Sequence, residues 1–367
     1  MRFLALLPAV LPILFLAGCG SALDSSGSKQ VDLRALGGGD TPPMTEIPCA
    51  QHSDLRLAAM TDTGIGLTSA LGLAAGRYAL PAGAAPTQLV VMFHGHGNDS
   101  CGWRGHLLDA AAHGAVAVAM DYSGQRQTPW ENYGWFAREG AADSIVAARY
   151  FMQKYPGITN VIAFGVSMGG SVSGVAMASK DAVRADGSPL WNYWIDIEGV
   201  NNLIEEYLIA RGVAAAGNGG GAQAQQELEE ENGGSFEDKP QAYAEITNTL
   251  HASEMALQGV VLVNGLDDGL VPTNQTDEMA RALDAAGIPE HVYKVVLNGG
   301  AESGTTATAI PLGPVASGAG QTYESPLAGH AWEGSNTALV MKTGLAALYS
   351  LLEGGTVERG ETPVPGN

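Results

Sequence analysis

The sequence predicts an α/β fold in which a mostly parallel sheet is flanked by helices. Short apolar runs alternate along the chain with amphipathic stretches of helical length, which is the pattern of a parallel sheet with crossover helices. Several runs are apolar at almost every position, as in strands that are buried on both faces. Apolar residues make up 46% of the 367 residues, enough for a large core, so a wholly disordered chain is excluded.

Six runs are predicted as strands: Gln88 to Phe93, Ala115 to Tyr122, Asn160 to Phe164, Tyr193 to Ile197, Val260 to Asn264 and His291 to Leu297. Five stretches are predicted as helices: Trp103 to His113, Gly140 to Tyr155, Ser171 to Ser179, Thr273 to Ala286 and Asn336 to Leu352. Two insertions interrupt the alternation. Residues 202–256 are predicted to form a cap or lid with a mobile acidic loop, and residues 299–329 a long loop without periodicity.

The amino-terminal segment predicts export and a lipid anchor. Residues 1–18 contain an apolar run that is too short to cross a bilayer comfortably but suits a secretion signal. The run ends in Leu16-Ala17-Gly18-Cys19, which is similar to the lipobox of bacterial lipoproteins, in which the cysteine is acylated. An ordinary signal peptide with an incidental cysteine is the alternative. Residues 19–46 are then a flexible tether, and residues 47–367 the globular domain, at the cell envelope.

Cysteine and charge content limit the partners. Export permits a disulfide between Cys49 and Cys101, although two buried thiols fit the sequence as well. The chain has 18 Lys and Arg against 38 Asp and Glu, a formal charge of −20. Nucleic acids and anionic lipids need clustered cations, so neither is an expected partner. The membrane is expected to be contacted through the Cys19 anchor only.

One motif carries the chemistry. Gly165-Val166-Ser167-Met168-Gly169 lies between a predicted strand and a predicted helix, as in the turn known as the nucleophile elbow. The turn must be sharp to expose the serine hydroxyl, and side chains at the two glycine positions would collide with the neighbouring backbone. A serine hydroxyl becomes a good nucleophile only beside a base that a third group orients.

Candidates for the base and the third group follow in the chain. Asp267 and Asp268 come after the fifth predicted strand, and His330 lies in a loop before the last helix. Separately, the aspartates could cap the next helix and the histidine could be an ordinary loop residue. The order Ser, Asp, His, with each residue after a strand or before a helix, favours a catalytic triad.

These motifs together resemble the α/β-hydrolase fold serine hydrolases from about residue 75 to 353, outside the two insertions. The resemblance rests on His94-Gly95, Asp121-Tyr122, the GVSMGG elbow, the GLDDGLVP stretch and the AGHAW loop. It implies that Ser167 is the nucleophile and His330 the general base. The acid of this family commonly lies in a G-x-x-D-x-x-V-P stretch, which selects Asp268 over Asp267.

The oxyanion hole is predicted from the backbone N–H groups of Met168 and His96. His94 and His96 also resemble a zinc pair, but an HxHxDH metal pattern would need other residues at Asn98 and Asp99. We therefore expect no metal and no cofactor. The side chains of Trp130, Trp135 and Trp332 are interpreted either as core residues or as walls of an acyl pocket.

The predicted function is hydrolysis of small or polymeric carboxylic esters through an acyl-enzyme at the cell envelope. The rate is expected to rise as His330 loses its proton, near pH 6.5 unless its pKa is shifted. One alternative is a peptidase similar to prolyl oligopeptidases, although the chain lacks the repeats of a propeller domain. Another is a surface-anchored binding protein that keeps the fold without catalysis.

Overall fold

The computed structural model describes residues 44–48, 53–58, 73–123, 134–266, 268–296, 310–311, 322–323, 330–335 and 338–365. Ten of its strands form one sheet: β1 (Met44–Pro48), β2 (Ser53–Ala58), β3 (Leu73–Ala79), β4 (Gln88–Phe93), β5 (Val116–Asp121), β6 (Asn160–Val166), β7 (Tyr193–Ile197), β8 (Gly259–Gly265), β9 (Glu290–Val295) and β12 (Gly360–Val364). A separate antiparallel pair, β10 (Ile310–Pro311) and β11 (Thr322–Tyr323), lies within the second insertion.

The sheet has the order β1-β2-β3-β5-β4-β6-β7-β8-β9-β12. From β5 to β12 in this order the neighbouring strands are parallel, whereas β1, β2 and β3 pair antiparallel at one edge. Parallel strands end at the same edge of the sheet, so the loops after β4, β6, β7 and β8 emerge side by side. The predicted α/β class with a mostly parallel sheet is confirmed.

Helices cover both faces of the sheet. They are α1 (Arg104–Ala112), α2 (Ala137–Lys154), α3 (Met168–Ala178), α4 (Leu203–Ala215), α5 (Gly219–Asn232), α6 (Pro240–Glu245), α7 (Thr273–Ala286) and α8 (Leu339–Leu352). Alternate residues of one strand point to opposite faces. In β4, Val91 and Phe93 belong to the same apolar cluster as residues of α2, α3 and α7, whereas Val90 and Met92 belong to the cluster that includes residues of α1 and α8.

The insertion of residues 202–256 lies between β7 and β8 and contains α4, α5 and α6, which we call the cap. The stretch expected to be a mobile acidic loop is largely the helix α5. Leu228 of α5 is fully buried and belongs to the main core. Arg138 of α2 also donates to Glu231 Oε1 at 3.1 Å and to the carbonyl of Ala242 at 2.8 Å. The contacts of Leu228 and Glu231 stabilise α5, which has little apolar periodicity of its own, and the contact with Ala242 joins α6 to α2.

The predicted signal segment and Cys19 lie outside the described residues, whereas β1 begins at Met44, so the last residues of the predicted tether belong to the sheet. Cys101 is buried in a short helical turn, and its proposed partner Cys49 also lies outside the described residues. Within the described part of the chain, no helix combines the length and apolar character needed to cross a membrane.

Candidate active site

Ser167 occupies a strained turn between β6 and α3. Its backbone has φ 57° and ψ −126°, a positive φ that residues with a side chain rarely adopt. The Ser167 N–H donates to the carbonyl of Ile197 at 2.9 Å, and the Ser167 carbonyl accepts from Gly170 N at 2.8 Å. Backbone contacts on both sides therefore hold the turn at the carboxyl edge of the sheet, where Ser167 is 9% exposed.

The two glycines of the motif are required by close backbone packing. A Cβ atom at Gly165 would lie 2.5 Å from the carbonyl oxygen of Gly169. One at Gly169 would lie closer than 3.0 Å to the carbonyl oxygen of Phe93, the last residue of β4. Main-chain atoms cannot move aside as a flexible side chain can, so the elbow accepts no side chain at either position.

His330 is held by Asp268. Its Nδ1 lies 2.8 Å from Asp268 Oδ2, and both side chains are almost fully buried. The other carboxylate oxygen, Oδ1, accepts from the backbone N–H groups of Leu270 at 2.8 Å and Val271 at 3.0 Å. These two donors fix the orientation of the carboxylate, and the carboxylate in turn fixes the imidazole.

The opposite ring nitrogen, His330 Nε2, is buried and makes no hydrogen bond to Ser167 Oγ or to any other described group in this conformation. Gly95 packs against Ser167, because a Cβ at Gly95 would lie 3.3 Å from the Ser167 Cβ. Contacts between nucleophile and base are often long before substrate binds. An imidazole with an acid at Nδ1 and an unbonded Nε2 has the arrangement of a general base.

Three carboxylates surround His330. Burial lowers the pKa of His330, but the charge and hydrogen bond of Asp268, followed by the charges of Glu198 and Glu206, outweigh it and raise the pKa to about 9. Burial also raises the pKa of Glu206, on α4, to about 8, with further contributions from Glu205 and Asp268. The pKa of His330 is therefore higher than the ordinary histidine value of about 6.5 that is expected without a shift.

Glu198 is a site residue that the sequence reasoning missed. It follows β7 directly, has φ 50°, and its side chain is fully buried. Its Oε2 lies 3.5 Å from His330 Nδ1 and accepts from the Ala331 N–H at 2.7 Å. The signal available in the sequence was a carboxylate immediately after a predicted parallel strand, next to the strand that leads to Asp268.

Glu333 was also missed. It joins the loop of residues 330–335, which we call the histidine loop, to the loop of residues 94–99 after β4, which we call the oxyanion loop. Its Oε1 accepts from the Gly95 N–H, and its Oε2 accepts from Asn98 Nδ2 at 2.9 Å. Because the Gly95 N–H is committed to Glu333, the next N–H of the loop, that of His96, is the candidate second oxyanion donor. Met168 is the first residue of α3, where N–H groups have no partner within the helix, so it is the candidate first donor.

The two histidines after β4 point to different partners. The His94 ring stacks on Tyr122, with centroids 3.9 Å apart, and Tyr122 Oη donates to the His94 carbonyl at 3.0 Å. His96 Nε2 contacts Glu227 Oε2 of α5, which brings the cap against the oxyanion loop. Among the described residues, the carboxylate and imidazole groups close enough to share a metal ion are those of Glu198, Asp268 and His330, the groups already assigned to the site.

The structure describes two of the three tryptophans that were interpreted as core or pocket residues, and these two differ in burial. Trp135 is 5% exposed and belongs to the core, and its ring centroid lies 6.1 Å from that of His96. Trp332 is 41% exposed two residues after His330, and Trp130 lies outside the described residues. Their role as walls of an acyl pocket stays a prediction.

The chain is similar to several solved structures of other proteins. A puromycin-hydrolysing peptidase of Mycobacterium tuberculosis shares 18% identity and a TM-score of 0.50, covering 80% of this chain and 40% of its own. The esterase Est2 of Thermogutta terrifontis with bound propionate shares 20% identity and a TM-score of 0.48, covering 78% and 92%. An acylaminoacyl peptidase of Pyrococcus horikoshii shares 16% identity and a TM-score of 0.45, covering 60% of this chain.

The chain spans 34% of that acylaminoacyl peptidase, and at these identities the likeness concerns the fold. No curated protein matches the chain. The model of the alpha/beta hydrolase family matches residues 90–301, more than half of the 367 residues, and this range contains Ser167 and Asp268. The chain belongs to the alpha/beta hydrolase family.

Proposed function

We propose that the chain is a serine hydrolase that cleaves carboxylic esters through an acyl-enzyme on Ser167. The observation that carries the proposal is the pairing of a strained serine turn with a buried His330–Asp268 hydrogen bond of 2.8 Å at the same edge of the sheet. A strained backbone at a serine and an acid-oriented imidazole are both features that activation of a hydroxyl requires. No metal or cofactor is part of the proposed chemistry.

Each step uses groups of this chain. Ser167 Oγ attacks the ester carbonyl carbon while His330 Nε2 takes the hydroxyl proton, and Asp268 stabilises the imidazolium. The tetrahedral intermediate expels the alcohol, which receives the proton from His330, and the acyl group stays on Ser167. Water then attacks the acyl-enzyme with the same proton transfers and releases the carboxylic acid.

The oxyanion of each tetrahedral intermediate is assigned to the N–H groups of Met168 and His96. Such donors are effective because they are already oriented when the charge develops, and the loss of one costs about 3 kcal/mol in the barrier. Glu333 supports this assignment, since it fixes the loop that carries His96 through the Gly95 N–H.

The pH dependence follows from His330. Only the neutral imidazole accepts the serine proton, and contacts with the surrounding carboxylates raise its pKa to about 9. We therefore expect kcat/KM to increase with pH well above the ordinary histidine range. A profile that is flat between pH 6 and 9 would contradict His330 as the base.

A fluorophosphonate probe tests the nucleophile directly. The protein is expected to be labelled on Ser167, with labelling abolished in Ser167→Ala and retained in Ser179→Ala, a serine at the end of α3 away from the elbow. Absence of labelling in the unmodified protein would contradict a serine hydrolase and favour a binding protein with this fold.

The ester preference is tested by paired substrates. An ester is the easier substrate because its alkoxide leaves without prior protonation of a nitrogen atom. We expect turnover of p-nitrophenyl acyl esters, with acyl-length preference defining the pocket, and far slower turnover of matched p-nitroanilides and proline-containing peptides. The reverse ranking would identify the peptidase alternative.

We also propose that the protein acts at the cell envelope as a lipoprotein anchored through Cys19. The lipobox-like Leu16-Ala17-Gly18-Cys19 supports this proposal. Expression in a bacterium fed a labelled fatty acid should label the protein, and Cys19→Ala should lose both the label and membrane association. Membrane association that survives Cys19→Ala would contradict the anchor.

A further inference from the structure

We propose that Glu198 is a second positioning carboxylate for His330, which shares the Nδ1 side of the ring with Asp268 and accepts the Nδ1 proton when Asp268 is removed. This inference rests on the proposed function, in which His330 is the base. Asp268 Oδ2 and Glu198 Oε2 lie 2.8 and 3.5 Å from the same nitrogen. At 3.5 Å, Glu198 interacts with the ring mainly through its charge, and a small shift would bring it into hydrogen-bond range.

The position of Glu198 is fixed by the backbone on two sides. Its Oε2 accepts from the N–H of Ala331, the residue after the base, and its Oε1 accepts from the N–H of Gly265 at the end of β8. Two backbone donors stabilise the ionised form of a carboxylate. Through these two hydrogen bonds, Glu198 joins the end of β7 to the histidine loop and to the end of β8, which leads into the loop that carries Asp268.

Charged groups face His330 from three elements. Asp268 comes from the loop after β8, Glu198 from the end of β7 and Glu206 from the cap helix α4. Glu206 carries a proton up to about pH 8, because burial raises its pKa to about 8. Of the two carboxylates besides Asp268, Glu198 raises the pKa of His330 more than Glu206 does, and its Oε2 lies 3.5 Å from Nδ1.

The first test measures His330 itself and needs no turnover. Its imidazole ¹⁵N signals, identified by their loss in His330→Gln, are followed against pH by NMR in the full-length protein. We expect Glu198→Gln to lower the pKa of His330 by about one unit, since an opposite charge at this distance shifts a pKa by that order. Glu206→Gln, the control carboxylate, should shift it less. An unchanged titration in Glu198→Gln would overturn the inference.

The second test leaves Glu198 in place. In Asp268→Asn, the Nδ1 proton signal of His330 should persist because Glu198 accepts it, and ester hydrolysis should fall about a hundredfold but stay above the Ser167→Ala background. The double variant Asp268→Asn with Glu198→Gln should fall to that background. Equal activity in the single and double variants, or loss of the Nδ1 signal in Asp268→Asn, would reject the role of Glu198.

The outcomes separate the two proposals. A His330 titration that depends on Glu198, combined with no fluorophosphonate labelling of the unmodified protein, would reject the serine hydrolase and keep the contact. Labelling with a His330 titration that is independent of Glu198 would keep the hydrolase and reject the second carboxylate. A structural role alone predicts lower stability in Glu198→Gln without a shift of the acidic limb of the pH–rate profile.

Discussion

The serine side and the histidine side of the site are held by different physical means. On the serine side, backbone hydrogen bonds and tight contacts with Phe93 and Gly169 hold the turn. On the histidine side, three buried carboxylates, those of Asp268, Glu198 and Glu333, bind a side chain or backbone N–H groups from distant loops. The serine side depends on close backbone packing, and the histidine side depends on charged groups. An added side chain should therefore disrupt the first, whereas removal of a charge or a change of pH should affect the second.

The largest loss of stability and activity is expected from Gly169→Ala, which tests the close backbone packing on the serine side. The new Cβ would collide with the Phe93 carbonyl oxygen, and neither atom can move without shifting β4 or α3. We expect a loss of about 3 kcal/mol or more in the free energy of unfolding. Urea denaturation measures this loss, and ester hydrolysis should fall with it because the serine is displaced.

Gly212→Ala is the matched control. Gly212 lies inside α4, and a Cβ there would meet nothing within 4 Å. Alanine is the better helix former, so this variant should be more stable by about 0.5–1 kcal/mol. If Gly169→Ala were as stable as Gly212→Ala, the steric account of the elbow would be wrong.

The second effect comes from Glu333→Gln, which tests charge on the histidine side. Both carboxylate oxygens accept hydrogen bonds, from Gly95 N–H and Asn98 Nδ2, whereas a glutamine amide would turn a donor toward one of them. We expect kcat to fall about ten- to a hundredfold with a smaller change in KM, because the oxyanion loop acts in the transition state.

Glu353→Gln, an exposed residue just after α8, is the control for Glu333→Gln and should behave as the unmodified protein. An unchanged kcat in Glu333→Gln would show that the oxyanion loop does not depend on this tie. A fall in stability without a fall in kcat would assign Glu333 to folding alone.

The two sides also differ in how far the sequence predicts them. The elbow is local: Gly165, Ser167 and Gly169 lie within five residues, and strand–turn–helix context was enough to identify them. The order of Asp268 and His330 was readable for the same reason, since each lies next to a predicted strand or helix. The structure places them within hydrogen-bond distance.

Glu198 and Glu333 were not predicted because their contacts join residues that are far apart in sequence. Glu198 reaches Ala331 across 133 positions, and Glu333 reaches Gly95 across 238. No periodicity or motif encodes such pairs in a single sequence. The same reason explains α5, whose helix depends on the burial of Leu228 and on Arg138, and β12, whose GETPV sequence lacks an apolar run and forms an edge strand.

A third, broader effect concerns pH and stability. Burial is the main cause that raises the pKa of Asp143, Asp196, Glu231 and Glu333 to about 7 each. The folded state therefore holds more protons than the unfolded chain from about pH 4 to 7. Stability should fall as the pH rises through that window and continue to fall toward pH 9, where His330 loses its proton. Activity should rise over the same range.

Urea denaturation between pH 5 and 8 tests this opposition. Each unit of pKa shift corresponds to about 1.4 kcal/mol, so the change should be easily measured. Asp196→Asn should flatten the slope, because it removes a buried group that accepts from Asn201 and has no partner for its other oxygen among the described residues. A protein that is more stable at pH 8 than at pH 5 would contradict the buried, protonated carboxyl groups.

The smallest effect on ester hydrolysis is expected from Glu227→Gln. This variant tests whether a charged side chain of the cap helps to hold the site, as charged side chains do on the histidine side. Glu227 Oε2 contacts the His96 ring from α5, while its Oε1 accepts from Gln223 at 2.9 Å. Losing the charge weakens one contact to the oxyanion loop, worth about 0.5–1.5 kcal/mol. The kcat/KM for ester hydrolysis should therefore fall about two- to tenfold, with little change in the urea midpoint.

Glu230→Gln on the same helix is the matched control, since Glu230 is exposed and accepts from Gln226 one turn earlier at 2.7 Å. It should leave kcat/KM unchanged. If both variants have the same kcat/KM, the cap covers the site without positioning His96. The region held by charged side chains, which we call the charge-dependent region, then does not include the cap. If Glu227→Gln alone lowers kcat/KM, that region extends from β7 through the oxyanion loop into the cap, and cap movement would alter the oxyanion hole through a single side-chain contact.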